Sequence, residues 1–168
     1  ILLDNKELTD KDWIDFKSGI GYMPERVSFY DNLSGWETLR LFGRLKGIRS
    51  MSFEETLKGI ISEDILRRKV GGYSKGMRQR LNLCQALLGD PEILILDEPT
   101  SGLDPVGTRE FYEILSLLRQ KKRITIILSS HILAEIEERV DRVAIIKDGL
   151  LKALGGLSEL YAGLNLPL

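Results

Sequence analysis

The chain has one cysteine, one histidine and no long hydrophobic run in its 168 residues. A single cysteine excludes an intrachain disulfide and is compatible with a reducing compartment. Cys84 lies among Leu81, Leu83, Leu87 and Leu88, which predicts a buried helix position rather than a reactive thiol. No apolar stretch approaches the roughly 20 residues that a membrane-spanning helix needs. The formal net charge of −1 argues against a nucleic-acid surface driven by net charge, though local basic patches stay open. The 168 residues include no start methionine, and no signal peptide is expected from them. The opening Ile1-Leu2-Leu3 reads as a short strand followed by charged residues, and the chain is expected to be clipped from a longer polypeptide. What remains is ordinary: 43% hydrophobic and 29% charged residues, as in a soluble globular protein of one domain or a large part of one.

Internal repeats and low-complexity segments are also absent. Thr9-Asp10-Lys11-Asp12 offers an N-cap and acidic first turn for a helix to about residue 16. Ile20–Met23 reads as a strand closed by Pro24. Helices are expected over 36–46 and 52–61, the second opened by a capping-box-like Ser-Phe-Glu-Glu. A short charged segment spans 64–69, and Gly71-Gly72 breaks the chain before a clear helix over 75–88, ended by Gly89-Asp90-Pro91. From residue 93 strands and helices alternate: a strand at 93–97, a helix at 106–121, a strand at 124–129, a short helix at 132–139 and a strand at 142–147. Asp148-Gly149 turns into a last strand at 150–154, and a helix begins near 158. This βαβ rhythm implies a parallel sheet with right-handed crossovers, and the helix-only stretch 36–90 implies a helical insert.

Ile93-Leu94-Ile95-Leu96 is a run of four aliphatic residues, as in a parallel strand buried on both faces. Asp97 and Glu98 follow at its carboxyl end, where open α/β sheets place ligands. Such a pair suits a Mg²⁺–nucleotide site, with one acid holding the ion and the other orienting or deprotonating water. A core strand ending in a solvated acidic turn is the competing reading of that run alone. Ser74 and Gly76, in Tyr73-Ser74-Lys75-Gly76-Met77-Arg78-Gln79-Arg80, open a helix whose exposed N–H groups can meet an anion, although an N-capping serine looks the same. Thr100-Ser101-Gly102-Leu103-Asp104-Pro105 is a tight turn with an acid before the next helix. Ser129-Ser130-His131 ends the following strand, which would bring the one histidine to the edge that carries Asp97 and Glu98.

In this order the motifs resemble the nucleotide-binding domain of ABC transporters over essentially the whole chain. Tyr73–Met77 corresponds to the signature loop, usually Leu-Ser-Gly-Gly-Gln, and Ile93–Glu98 to the Walker B strand. Ser101–Asp104 corresponds to the D-loop, His131 to the switch histidine and Tyr22–Glu25 to the start of the Q-loop. Three departures stand out. No Gly-Lys-Ser/Thr phosphate loop (Walker A) occurs; in the family it lies upstream, so the chain is expected to begin just after it. Glu25 replaces the Q-loop glutamine and cannot donate as an amide does. Lys75 and Met77 replace Gly and Gln in the signature. The stretch between Gly47 and Tyr73 is also somewhat short for the family.

The resemblance implies an α/β fold with a P-loop NTPase-type parallel sheet, lacking its first strand and Walker A, and an inserted all-helical subdomain. The division is 1–35 for a partial core with the Q-loop, 36–90 for the helical subdomain, and 91–168 for the remaining core. It implies ATP and Mg²⁺ as ligands, with Asp97 and Glu25 toward the metal. Glu98 would be general base and His131 the γ-phosphate sensor. Ser74, Lys75 and Gly76 would meet the nucleotide on a partner domain, and Asp104 would link the two sites. Implied partners are a second nucleotide-binding domain, a homodimer by expectation, and a membrane permease at the cytoplasmic face, with no nucleic acid. The signature and Gly-Tyr-Met-Pro-Glu are similar to the ABC-2 exporter branch and, more narrowly, to ATPases of copper-processing systems for nitrous oxide reductase maturation. The 168 residues alone are expected to be inactive. A non-transport ABC ATPase is the alternative, but about fifty residues separate Glu25 from Tyr73 without the sustained heptads of a coiled-coil insertion. A regulatory domain without Walker A is a third reading.

Overall fold

Ile93–Leu96 forms the central strand of a three-stranded parallel sheet in the computed structural model, which describes residues 2–3, 6–7, 9–48, 57–121, 124–137 and 139–164. The chain forms two compact units, Ile1–Ser129 and Ser130–Leu168. In the first, β1 (Leu2–Leu3) and β2 (Lys6–Glu7) pair antiparallel. They are followed by α1 (Asp10–Ser18), β3 (Ile20–Met23), α2 (Gly35–Leu45), α3 (Glu63–Arg67), a 3₁₀ turn at Val70–Gly72 and α4 (Lys75–Ala86). Then come β4 (Ile93–Leu96), α5 (Pro105–Lys121) and β5 (Thr125–Leu128). The second unit holds α6 (Leu133–Ile136), β6 (Val143–Lys147), β7 (Leu150–Gly155) and α7 (Leu157–Leu164). The α/β class is as the pattern predicts, and the described residues between β3 and β4 form the helices α2, α3 and α4 with the 3₁₀ turn.

Sheet order is β3-β4-β5, all parallel, with Tyr22 beside Ile95 and Ile95 beside Ile127. The expectation of a central strand buried on both faces is corrected here. Leu94 and Leu96 are buried, together with Met23 on the same face, whereas Ile93 and Ile95 are only half-buried and their neighbours Tyr22 and Ile127 are exposed. Helix α4 packs on the buried face. Gly21 permits the approach, because a Cβ there would stand 2.3 Å from the Ala86 carbonyl oxygen. The apolar side of α4 is fully buried at Leu81, Leu83 and Cys84, and burial pushes the Cys84 thiol far above its ordinary range, as expected of an inert core cysteine.

Local chemistry explains the helix ends. Thr9 caps α1 in a full capping box with Asp12, and Ser34 caps α2 in another with Glu37. Helix α1 extends to Ser18, two residues past the expected end, and stops as the Gly19 N–H bonds the Phe16 carbonyl. Of the helix expected at 52–61, residues 52–56 lie outside the described residues; from Lys58 to Ile60 the chain turns, and Leu57, Ile60 and Ile61 are buried. Lys46 follows α2 and donates to the carbonyls of Gln85 and Leu88 at the end of α4, and its burial lowers the amine's pKa.

The second unit departs from the single parallel sheet implied by the strand–helix rhythm. Strands β6 and β7 form their own antiparallel hairpin, with Lys147 opposite Leu150. Asp148 and Gly149 both have positive φ, 53° and 73°, the type I′ geometry that folds a strand straight back on itself. A two-residue turn leaves no room for a crossover helix, so β7 can pair only antiparallel.

Gly21→Ala is expected to destabilise the fold by about 2 kcal/mol through overpacking against α4. A urea titration would show a lower midpoint at an unchanged slope.

Candidate functional site

The carboxyl end of β4 is fixed from both neighbouring strands. The Asp97 N–H continues the ladder to the Met23 carbonyl of β3 at 2.9 Å, and the Ser129 N–H bonds the Leu96 carbonyl at 2.9 Å. Ser129 Oγ then serves both acids: it donates to Asp97 Oδ1 at 2.7 Å and accepts from the Glu98 N–H at 2.8 Å. Glu98 sits in the left-handed region with φ 45°, and its carbonyl accepts from the Ser101 N–H at 3.0 Å. The acids therefore leave the strand on a strained turn rather than on a floppy loop.

That turn is also gripped from below. Gln79, buried in α4, donates from Nε2 to the Pro99 carbonyl at 2.7 Å. Asn82 and Gln85, three and six residues further along the same helix, donate to the carbonyls of Pro24 at 3.0 Å and Tyr22 at 2.8 Å. Three amides on one stripe of α4 thus reach backbone acceptors around the carboxyl ends of β3 and β4. Read in the sequence, these residues look like the polar side of an amphipathic helix, and only their partners reveal the role.

The start of α4 meets the D-loop in the same chain. Ser74 is the N-cap, its Oγ accepting from the Met77 N–H at 3.3 Å. Lys75 lies across Gly102: a Cβ on that glycine would fall 2.0 Å from Lys75 Nζ. Gly76 faces Leu103, whose Cδ2 is 3.9 Å from where a Cβ would be. Asp104 caps α5, with Oδ1 accepting from the Gly107 N–H at 2.7 Å. The segment ahead of the signature is pinned as well. The Gly71 N–H bonds the Asp31 carbonyl, Arg78 pairs with the Asp31 carboxylate at 2.8 Å, and the Tyr73 hydroxyl donates to the Ile65 carbonyl. Desolvation raises the Tyr73 phenol's pKa, partly opposed by Arg68.

Ser74, Lys75, Gly76, Asp97, Glu98 and Asp104 therefore all lie in the first unit, on α4 and the β4–α5 turn that Gln79 ties together. Glu25 follows Met23 and Pro24, whose carbonyls hold Asp97 and Asn82; its exposed carboxylate is 3.9 Å from Arg26 Nε, a weak surface pair. His131 is exposed in the second unit, two residues past Ser129, in a turn where the Ile132 N–H donates to Ser130 Oγ at 3.1 Å.

Chemically, a left-handed turn that presents two carboxylates at the carboxyl end of a strand suits a hard cation bound together with a phosphate-bearing ligand. Among the described residues no group of three or more His, Cys, Asp or Glu side chains is placed to hold a metal alone. That donor set fits Mg²⁺, which is usually held by one or two carboxylates together with a nucleotide's phosphates rather than by a protein cage. Among the described residues, too, no helix is long and apolar enough to cross a membrane.

Fold and site together define an ATP-binding cassette: a parallel α/β sheet with an acidic strand end, a D-loop and a capped signature helix. The chain belongs to the ABC transporter family, whose family model matches residues 1–101 and whose ATP-binding domains bind and hydrolyse ATP. It is 44% identical over 133 residues to the bacitracin transport ATP-binding protein BcrA of Bacillus licheniformis, covering 79% of this chain and 44% of that one. It is 40% identical over 146 residues to the fluoroquinolones export ATP-binding protein MT2762 of Mycobacterium tuberculosis, covering 87% of this chain and 48% of that one. Among solved structures it resembles cbiO1 of Clostridium perfringens, described as part of an ABC transporter complex. There the TM-score is 0.79 at 25% identity, over 96% of this chain and 67% of that one. The chain spans about half the length of the curated relatives it matches. The names of these two relatives concern bacitracin and fluoroquinolones and do not support the narrower resemblance to copper-processing ATPases.

Gln79→Leu is expected to lower stability by about 1–3 kcal/mol, because the buried Pro99 carbonyl loses its donor. Urea denaturation of the variant beside wild type measures it.

Proposed function

We propose that this chain is the ATP-hydrolysing part of a motor subunit of an ABC-type membrane exporter. The observation that carries the reading is the turn at the end of β4, where Ser129 holds Asp97 and Glu98 and Gln79 ties the same turn to the signature helix. The names of the relatives above, which concern bacitracin transport and fluoroquinolone export, support export as the direction.

In this reading Glu98 is the general base that takes a proton from the attacking water, and Asp97, with Glu25, is the metal side of the site. Mg²⁺, when bound with the nucleotide, supplies charge neutralisation at the phosphates. Ser74, Lys75 and Gly76 present the positive end of α4 to the γ-phosphate of ATP held by a second cassette. Asp104 relays between the two sites of that dimer, a homodimer in the simplest assembly. His131 is the γ-phosphate sensor. The helices of 36–90 form the subdomain that transmits closure to a permease, with residues 1–35 and 91–168 as the surrounding core, at the cytoplasmic face of the membrane. These 168 residues contain no Gly-Lys-Ser/Thr loop, and on their own they are proposed to be inactive.

Glu98→Gln in the intact protein is expected to lower ATP turnover at least about a hundredfold, the contribution of a general base, while ATP affinity stays within about threefold. Steady-state hydrolysis and equilibrium nucleotide binding together decide it; turnover close to wild type would sink the assignment.

A further inference from the structure

Ser129 bonds to both acids and lies outside the single motif, Ile93–Glu98, that contains them. Its hydroxyl has one proton and must accept from the Glu98 N–H, which can only donate, so that proton is directed to Asp97 Oδ1. The second bond is charge-assisted. We infer that Ser129 is a positioning residue for the hydrolytic centre, setting the direction of the Asp97 carboxylate and the backbone of Glu98 through one hydroxyl. The inference rests on the roles proposed above for Asp97 and Glu98.

The geometry favours this over an incidental serine at a strand end. Strand β5 runs in register with β4, Leu128 beside Leu96, and the Ser129 N–H bonds the Leu96 carbonyl, so the side chain is delivered to the turn by the sheet itself. Glu98 has φ 45°, a conformation that a residue with a Cβ holds only when its surroundings impose it. Two backbone bonds help to impose it: Ser101 N–H to the Glu98 carbonyl, and Glu98 N–H to Ser129. Removing the hydroxyl frees the N–H and at the same time loosens Asp97. Both acids would then sample orientations in which neither metal nor water is correctly met, a loss felt in the chemical step more than in nucleotide binding.

The test pairs Ser129→Ala with Ser129→Thr in the intact protein. Ser129 is exposed, so the extra methyl of threonine has room while the hydroxyl is kept. Ser129→Ala is expected to lower kcat about tenfold with KM for ATP within about twofold, and Ser129→Thr to restore kcat to within about twofold of wild type. A second readout needs no nucleotide: hydrogen exchange of the Glu98 amide in the free protein should speed up about tenfold in the alanine variant and not in the threonine variant. Unchanged exchange at Glu98 in Ser129→Ala, or unchanged kcat, would overturn the inference. If Glu98→Gln turns over normally, the proposed function fails, yet the exchange measurement still reports whether Ser129 holds the turn.

Discussion

The buried amide stripe of α4 is the constraint on which the rest of this structure depends. Gln79, Asn82 and Gln85 are removed from water, and each must find an acceptor or cost the fold a desolvation penalty. The acceptors they find are main-chain carbonyls near the carboxyl ends of β3 and β4. One helix therefore fixes the register between the loop after β3, the acidic turn after β4 and its own N-terminus. Apolar packing at Gly21 sets how close the helix lies; the amides set where along the strands it stops.

Function-bearing residues inherit that placement. Ser74 caps the helix that carries the amides, so the N-terminal end of α4 cannot shift without disturbing Pro99. Lys75 and Gly76 lie against Gly102 and Leu103, so the signature and the D-loop pack on one another. Arg78 and the Gly71 N–H both reach Asp31, adding a third anchor from the segment after β3. Rigid support of this kind is what a site needs if its geometry is to be held while a partner closes over it.

Much of this was legible from residue pattern. The run at 93–96, the capping sequence at Thr9–Asp12, the buried Cys84 and the Asp148-Gly149 turn all follow from local rules, and the acids were readable because they end an aliphatic strand. Other features depend on partners distant in sequence. Ser129 reaches residues 31 and 32 positions earlier, and Gln79 one 20 positions later, and no periodicity announces either pairing. The uneven burial of β4 has the same origin. Hydrophobicity specifies that a strand has an apolar face, and tertiary packing decides what covers it.

Glu98 carries one further consequence. At φ 45° the backbone there is the kind that glycine adopts without strain and a residue with a Cβ adopts at about 1 kcal/mol or more. A turn selected for stability alone would place glycine at this position and lose the carboxylate. The chain instead keeps an acid on an unfavourable backbone, and under the role proposed for Glu98 this is a local trade of folding stability against chemistry.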